Sequence, residues 1–336
     1  MEFHICKVPF KLIVDDCSVT AIDGPNSGAD DGLMKNSQHE QRQMQNDNGL
    51  NAGYFDSEDG LRLFYRHVDQ RLQRSANDLP VLCLHGLTRN SRDFSDLVAH
   101  LAPTHSVLVP DVRGRGFSAY DPEPDHYQPP TYAQDMWRLL DHLGIDRCVI
   151  IGTSMGGIIG MIMALQQPQR IAGIALNDIG PELDEKGLTR IAGYVGVKTE
   201  IRNWVDAVAN AQRNNAQALP DLTAAQWLQF AQQLFREDEH GVPRADYDPA
   251  IAEAFGRVDL AEATARAWAV FDQLKQPILV IRGAISDLLS TDTVHAMQQR
   301  HADFSAVEIP QRGHAPLLNE PESVGAIDTF LKRFAN

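Results

Sequence analysis

Ser154 lies in the sequence Gly-Thr-Ser-Met-Gly (residues 152–156), between an apolar run typical of a β-strand and a segment typical of a helix. A serine projected from so tight a turn has strained backbone, and larger residues at the glycine positions would collide with the neighbouring strand and helix. A serine hydroxyl is a poor nucleophile at neutral pH, so it needs a histidine to accept its proton and a carboxylate to hold the tautomer of that histidine. The pattern predicts nucleophilic catalysis by Ser154 if both partners exist elsewhere in the chain.

Candidate partners for this serine follow later predicted strands. His314 occurs in Gln-Arg-Gly-His-Ala-Pro (residues 311–316), where a glycine allows the loop to fold back towards the serine. Asp287 ends the sequence Gly-Ala-Ile-Ser-Asp (residues 283–287), and Asp178 follows the predicted strand before it. Serine, histidine and one of these two aspartates would form a proton relay in which the histidine acts first as base and then as acid.

A turn that binds phosphate is the alternative interpretation of the glycine-rich segment around Ser154. The chain has neither a G-x-G-x-x-G fingerprint nor the lysine of a Walker motif. No His, Asp or Glu cluster has the spacing of metal ligands in the sequence. We therefore expect neither a cofactor nor a metal.

Strands alternate with helices along most of the chain, and these elements must position the reactive side chains. Apolar runs of β-like composition occur at residues 61–65, 81–84, 107–109, 148–151, 171–176, 278–281 and 306–309. Helix-like segments lie between them. This alternation predicts an α/β fold with a doubly wound, mostly parallel sheet.

The alternation stops between about residues 181 and 264, where the sequence has several amphipathic helices and no predicted strand. A segment of this length is too long for a connecting loop, so we expect an inserted helical cap over the strand ends. Its aromatic residues predict an apolar roof for a pocket. The side chains expected to line the substrate pocket are those of His85, Arg89, Tyr194, Trp204, Trp227 and Phe230.

Composition suggests how the chain divides into parts. Much of residues 1–50 is rich in Asp, Asn, Gln, Ser and Gly, which cannot bury enough apolar area to offset the entropy of ordering, so we predict a flexible N-terminal extension. Residues 51–180 and 265–336 are expected to form the α/β core. Residues 181–264 are expected to form the cap, or lid.

Charge and hydropathy exclude several classes of partner. The formal net charge is −15, and the basic residues are scattered, so a polyphosphate such as nucleic acid would be repelled. No apolar stretch is long enough to span a bilayer, and the first residues do not resemble a signal peptide. We expect a cytoplasmic protein that acts on a small-molecule substrate, with no membrane partner; the sequence does not indicate an oligomeric state.

Three motifs together resemble those of the α/β-hydrolase family. Besides residues 152–156, His-Gly-Leu-Thr (85–88) resembles the family's H-G turn, and Asp-Val-Arg-Gly-Arg-Gly-Phe-Ser (111–118) resembles its D-x-R-G-x-G-x-S loop. From about residue 51 to its end, the chain is similar to the serine-nucleophile branch with a helical cap. The resemblance implies an α/β-hydrolase fold and a Ser–His–acid triad.

The resemblance also implies roles for individual residues. The backbone N–H groups of Leu87 and Met155 would form the oxyanion hole, and His85 would brace the turn rather than transfer protons. Asp287 is the expected catalytic acid, because Gly-x-x-Ser-Asp after the seventh core strand is the more common arrangement in the family. Asp178, the alternative acid, would then anchor the entry to the cap.

The expected reaction is hydrolysis of carboxylic esters of small to medium, apolar substrates through an acyl-enzyme, as in a carboxylesterase. Hydrolysis of an enol-lactone or of a carbon–carbon bond uses the same triad, and Arg89 could bind the carboxylate of a lactone substrate. The carbon–carbon hydrolases resemble the chain less well, because residues 87–89 are Leu-Thr-Arg where that group tends to have small residues and proline. A non-catalytic, hydrolase-like binding protein is disfavoured because it would need no matched proton relay.

Overall fold

The computed structural model describes residues 50–68, 79–257 and 260–335, so residues 1–49 of the predicted N-terminal extension lie outside the described part. The strands are β1 (Asn51–Asp56), β2 (Arg62–Val68), β3 (Val81–Leu84), β4 (Val107–Pro110), β5 (Cys148–Thr153), β6 (Ile171–Asn177), β7 (Phe235–Glu237), β8 (Pro243–Ala245), β9 (Ile278–Gly283) and β10 (Phe304–Ile309). Eight of them form one sheet, in the order β1-β2-β4-β3-β5-β6-β9-β10.

Most of this sheet is parallel. β1 and β2 pair antiparallel, as do β2 and β4, whereas every pair from β4 to β10 is parallel. Every residue of β3, β4, β6 and β9 is buried, which is the burial pattern of strands covered on both faces. The predicted fold class, a doubly wound and mostly parallel α/β sheet, is confirmed.

Helices cover both faces of the sheet. They are α1 (Ser95–Leu101), α2 (Pro129–His142), α3 (Met155–Gln166), α4 (Glu185–Ala192), α5 (Trp204–Asn215), α6 (Ala224–Leu234), α7 (Ile251–Gly256), α8 (Leu260–Phe271), α9 (Thr291–Arg300) and α10 (Pro321–Leu331). One apolar cluster joins α2, α3 and α9 to the sheet, and a second joins α1 and α10 to its other face. None of the described helices is long and apolar enough to cross a lipid bilayer.

Between β6 and β9 the chain forms α4 to α8 together with a small antiparallel hairpin, β7 and β8. The hairpin was not expected, because strands of three residues are too short to give an alternating apolar pattern. We call this region between β6 and β9 the cap, and it has an apolar cluster of its own, which includes Trp227, Phe230 and Phe235. It therefore has a small core separate from the two that cover the sheet.

One side of the cap is joined to the loop after β4. Gly116 N–H donates to the carbonyl oxygen of Asp246 at 3.0 Å, and Asp248 N–H donates to the carbonyl oxygen of Gly114 at 2.8 Å. The buried carboxylate of Asp246 also accepts a hydrogen bond from Arg92 at 2.8 Å. We call these contacts the hairpin seam, because Asp246 and Asp248 directly follow β8.

Candidate active site

Ser154 occupies the sharp turn between β5 and α3. Its backbone has φ 51° and ψ −117°, a conformation that costs a non-glycine residue of the order of 1–3 kcal/mol. Ser154 N–H donates to the carbonyl oxygen of Asn177, the last residue of β6, at 3.0 Å. A Cβ atom on Gly156 would overlap the carbonyl oxygen of Leu84, so glycine at 156 is what allows α3 to begin so close to β3.

His314 lies between Ser154 and Asp178. Its Nε2 is 3.0 Å from Ser154 Oγ, and its Nδ1 is 2.9 Å from Asp178 Oδ2. Because a carboxylate only accepts hydrogen bonds, Nδ1 must carry a proton, which leaves Nε2 free to accept the proton of the serine. The three side chains form a continuous hydrogen-bonded relay.

Asp178 is fully buried at the end of β6. Its Oδ1 accepts a hydrogen bond from Gly283 N–H at 2.8 Å, and its Oδ2 accepts one from the Ser286 hydroxyl at 2.6 Å as well as that from His314. A buried charge is tolerated only when it is paired and hydrogen-bonded, and these three donors meet that need. Two of them come from the last residue of β9 and from the loop that follows it.

The expected contact between Asp287 and His314 is not found, and Asp178 occupies that position instead. Asp287 accepts two hydrogen bonds from Arg190 of α4, at 2.6 and 2.8 Å. Burial acts to raise the pKa of Asp287, but the hydrogen bonds and positive charge of Arg190 outweigh it and hold the pKa below its ordinary value. The physical reason is position: Asp178 directly follows β6, the immediate neighbour of the strand that carries Ser154, whereas Asp287 lies beyond the end of β9 and is paired with the cap.

The start of the cap is packed closely against the same loop. A Cβ atom on Gly187 would come within 2.6 Å of the carbonyl oxygen of Asp287, so the first turn of α4 lies against this backbone. Asp184 N–H donates to the carbonyl oxygen of Leu288 at 2.8 Å. Together with the Arg190–Asp287 ion pair, these contacts form what we call the α4 seam.

Leu87 and Met155 flank the serine, as an oxyanion hole requires. Met155 is the first residue of α3, and a Cβ atom added to Gly86 would lie 3.8 Å from Ser154 Cβ, so the turn that holds Leu87 is adjacent to Ser154. Among the described residues, neither the Leu87 N–H nor the Met155 N–H has a hydrogen-bond acceptor. Both donors are therefore available to a bound oxygen.

His85 braces this turn from below. It is fully buried, accepts a hydrogen bond at Nε2 from Val112 N–H (3.0 Å), and donates from Nδ1 to the carbonyl oxygen of Gly86 (2.8 Å). Burial lowers its pKa, which favours the neutral ring that these two bonds require. The expectation that His85 lines the pocket is wrong, whereas its expected structural role agrees with the geometry.

Arg115 is a further residue beside the oxyanion turn that the sequence did not single out for this site. Its fully buried guanidinium donates to the carbonyl oxygen of Leu87 at 2.8 Å and to the sulfur of Met155 at 3.5 Å. It thus contacts both residues whose N–H groups flank Ser154. Its place in the Arg-Gly-Arg-Gly sequence of residues 113–116 was the only available signal.

Ser154 and His314 open into a cavity of about 860 Å³ between the core and the cap. This volume is within the range of pockets that enclose small-molecule ligands. Apolar side chains dominate the lining, and they include Ile158, Ile162, Leu188, Leu219, Val270 and Leu317. The cavity therefore favours a substrate with substantial apolar surface.

Three of the six expected pocket residues line this cavity: Arg89, Tyr194 and Phe230. The expected tryptophans Trp204 and Trp227 do not. Trp204 donates its indole N–H to Glu237 at 2.6 Å, and Trp227 packs edge-on against Phe230, with ring centroids 5.7 Å apart. The tryptophans hold the cap together and lie behind the residues that face the cavity.

One group of side chains in the described part of the chain could supply ligand atoms to a metal. Oxygen and nitrogen atoms of Asp59, Asp121 and His126 lie within 4.8 Å of one another. The Arg113 guanidinium already donates to both carboxylates, at 2.8 and 2.5 Å, and it pairs with Asp135 as well. The cation that neutralises this cluster is an arginine of the chain itself.

The sequence matches the model of the family described as the alpha/beta hydrolase fold over residues 80–321. Among solved structures, an α/β hydrolase from Novosphingobium aromaticivorans is similar, with 42% identity and a TM-score of 0.77. The similarity covers 84% of this chain and 98% of that chain.

Two of the curated relatives are named as hydrolytic enzymes. A 3-hydroxybutyrate-oligomer hydrolase of Cupriavidus necator is 33% identical over 261 residues, which is 76% of this chain and 89% of that protein. A 3-oxoadipate enol-lactonase of Acinetobacter baylyi is 25% identical over 262 residues, covering 76% of this chain and 90% of that protein. The agreement of the family match, the relatives and the observed sheet shows that this chain belongs to the α/β-hydrolase fold family and is a hydrolase.

Proposed function

We propose that this protein is a serine hydrolase that cleaves carboxylic esters of small to medium, predominantly apolar substrates. The observation that carries the proposal is the relay from Ser154 Oγ to His314 Nε2, and from His314 Nδ1 to Asp178, at the floor of a largely apolar cavity. In this proposal Asp178, rather than Asp287, is the catalytic acid.

In the first half of the reaction, Ser154 Oγ attacks the ester carbonyl carbon while His314 Nε2 takes the serine proton. The carbonyl oxygen becomes an oxyanion that accepts hydrogen bonds from the N–H groups of Leu87 and Met155. Each such donor is worth about 3 kcal/mol in the transition state. His314 then protonates the leaving alcohol oxygen as the carbon–oxygen bond breaks, which leaves an acyl-serine.

In the second half, water attacks the acyl-serine and transfers a proton to His314. Collapse of the second tetrahedral intermediate returns that proton to Ser154 Oγ and releases the carboxylic acid. Asp178 stabilises the imidazolium that forms in each half and keeps the proton on Nδ1. No step requires a group beyond the substrate, water and this chain.

The substrate class is supported by the cavity and by one relative. A cavity of about 860 Å³ exceeds the needs of an acetyl or propionyl ester, so we expect longer acyl chains to be preferred. The Cupriavidus relative acts on 3-hydroxybutyrate oligomers, and hydroxy acids form oligomers through ester bonds. Short hydroxyacid oligoesters are therefore suitable test substrates beside simple alkyl esters.

Enol-lactone hydrolysis is a second candidate, because the relay could open a cyclic ester by the same steps. The Acinetobacter relative, named as an enol-lactonase, supports it. A lactone would leave its alcohol tethered to the acyl group, so the same triad would release one product instead of two.

The proposal is tested with p-nitrophenyl esters of two to twelve carbon acyl chains and with the Ser154→Ala variant. We expect a rapid burst of p-nitrophenol with the wild type and a loss of kcat of at least about 10⁴-fold in the variant. A matched control is Ser305→Ala, which removes a hydroxyl that only bonds the carbonyl oxygen of Ile278 on the neighbouring strand.

Stoichiometric labelling of Ser154 by a fluorophosphonate gives an independent readout. A wild type that neither cleaves any ester nor accepts the label would contradict the proposal and favour a binding protein. Lactone opening without ester cleavage would favour the second candidate.

A further inference from the structure

Arg89 and Asp93 form an ion pair in the wall of the cavity, close to Ser154. Arg89 donates from Nε and Nη2 to the two oxygens of Asp93, at 2.7 and 2.6 Å, and both residues line the cavity. A Cβ atom added to Gly86 would lie 3.3 Å from Arg89 Cγ and 3.8 Å from Ser154 Cβ. The side-chain stem of Arg89 is therefore close to Ser154, in the wall of the same cavity.

Contacts on either side of the ion pair restrict its orientation. Asp93 N–H donates to the carbonyl oxygen of Asn90 at 3.2 Å, and the Arg89 guanidinium lies 4.4 Å from the centroid of the Phe230 ring in the cap. A guanidinium between a carboxylate and an aromatic face has a fixed plane. Arg89 and Asp93 keep 16% and 14% of their side-chain surface exposed, and both line the cavity.

The pair offers both kinds of hydrogen-bonding group. An arginine has five N–H donors, and two of those of Arg89 are used by Asp93; the other three have no acceptor among the residues that the structure describes. Each Asp93 oxygen keeps a lone pair, because a carboxylate has about four acceptor sites. A neutral hydroxyl, which donates and accepts, matches this combination.

The pair does not match a carboxylate. Its charges compensate each other, so a substrate anion would meet Asp93 as well as Arg89. The other arginines that line the described cavity are also paired with acids: Arg257 with Asp125 and Glu253, Arg266 with Glu262, and Arg312 with Asp221 and Glu320. The described wall thus contains no arginine without an acidic partner.

We propose that Arg89 and Asp93 are specificity-determining residues that recognise a hydroxyl group on the acyl chain. The inference rests on the proposed ester hydrolysis and narrows it: the site selects hydroxyacyl esters over alkyl esters and over half-esters of dicarboxylic acids. In this proposal Arg89 does not bind a substrate carboxylate, because it already donates hydrogen bonds to the carboxylate of Asp93.

Three p-nitrophenyl esters with four-carbon acyl groups test this selection: butyrate, 3-hydroxybutyrate and hemisuccinate. They share the leaving group and a chain of four carbons; 3-hydroxybutyrate adds a hydroxyl at C3, and hemisuccinate has a carboxylate in place of the terminal methyl group. For the wild type we expect kcat/KM to be highest for 3-hydroxybutyrate and lowest for hemisuccinate.

The Asp93→Asn variant should shift this selectivity in two opposite directions. The ratio of kcat/KM for 3-hydroxybutyrate to that for butyrate should fall about tenfold, because the charged acceptor is lost. The ratio for hemisuccinate to butyrate should rise about tenfold, because Arg89 becomes an uncompensated cation. Adding Arg89→Met to Asp93→Asn should abolish that rise.

The matched control is Asp206→Asn in the exposed Arg202–Asp206 pair, which has the same spacing of four residues but lies outside the cavity lining. Its two ratios should equal those of the wild type. Unchanged ratios in Asp93→Asn, or a wild type that cleaves hemisuccinate as well as 3-hydroxybutyrate, would overturn the inference while ester hydrolysis itself stands. A wild type that cleaves none of the three esters and resists fluorophosphonate would overturn both proposals.

Discussion

The loops that follow β6 and β9 each contain an aspartate, and the two aspartates have opposite environments. Asp178 has no exposed surface and receives hydrogen bonds from the backbone, a serine and the histidine. Asp287 retains some exposure and is held by one arginine of the cap. The comparison teaches that a motif alone does not tell which aspartate contacts the histidine, whereas the donors around each carboxylate do.

The largest expected effect distinguishes the two aspartates by replacing each of them with asparagine. Asp178→Asn should lower kcat for p-nitrophenyl butyrate by about 10³–10⁴-fold, because the amide can neither stabilise the imidazolium nor hold the required tautomer. Asp287→Asn should lower kcat by less than about tenfold, since it only loosens the cap. Circular dichroism melting curves establish that both variants are folded, and the opposite ranking of the two kcat values would assign the acid to Asp287.

An intermediate effect is expected from the serine that joins the two loops. Ser286→Ala removes the hydroxyl that donates to Asp178 at 2.6 Å, and kcat should fall about tenfold, since a hydrogen bond to a charged group is worth about 1.5 kcal/mol. Ser286→Thr, which keeps a hydroxyl, should recover most of the rate. Steady-state kinetics of both variants provide the measurement.

The control for that change is Ser290→Ala. Ser290 caps α9 by accepting a hydrogen bond from Thr293 N–H at 3.0 Å. Its loss should reduce the free energy of unfolding by about 1 kcal/mol and leave kcat unaltered. If Ser286→Ala behaved in the same way, Ser286 would have only a structural role.

The smallest expected effect concerns stability at the α4 seam. At pH 7, Asp287→Asn should reduce the free energy of unfolding by about 1 kcal/mol, because Arg190 loses its partner. The folded-state pKa of Asp287 is lowered, so the ion pair stabilises the fold above the unfolded value of about 3.8 and the stabilisation is lost as the pH falls through the folded value. Urea denaturation at pH 7 and pH 3 should show that wild type and variant differ less in free energy of unfolding at the lower pH. An equal difference at both pH values would contradict a stabilising role of the Arg190–Asp287 ion pair.

Much of the site could be predicted from the sequence because its signals are local. Strand–helix alternation predicted seven of the eight strands of the sheet and missed only β1 (Asn51–Asp56), and glycine spacing was sufficient to predict the sharp turn that holds Ser154. The choice of acid was not local, because it depends on which strand lies beside β5. Thr153 pairs with Asn177 in the sheet, and this register brings Asp178 next to the serine, a fact that no motif around Asp287 contains.

The pocket was predictable only in part for a related reason. Aromatic residues in the amphipathic helices of the cap predicted an apolar pocket. Helical periodicity does not tell which of these side chains face the cavity and which pack against another helix. Phe230 and Trp227 are three residues apart on α6, yet only Phe230 lines the cavity. Docking of the helices decides between them.

The two seams have a consequence for exchanging caps between members of the family. The first helix of the cap is joined to the loop after β9 through Arg190 and Asp287, and its hairpin is joined through Asp246 to Arg92, in the loop after β3. A grafted cap that brings only its own residues would leave Asp287 or Arg92 of the core, both partly buried, without its partner. Productive chimaeras would therefore need to carry over the two core loops together with the cap, as one cassette of three segments.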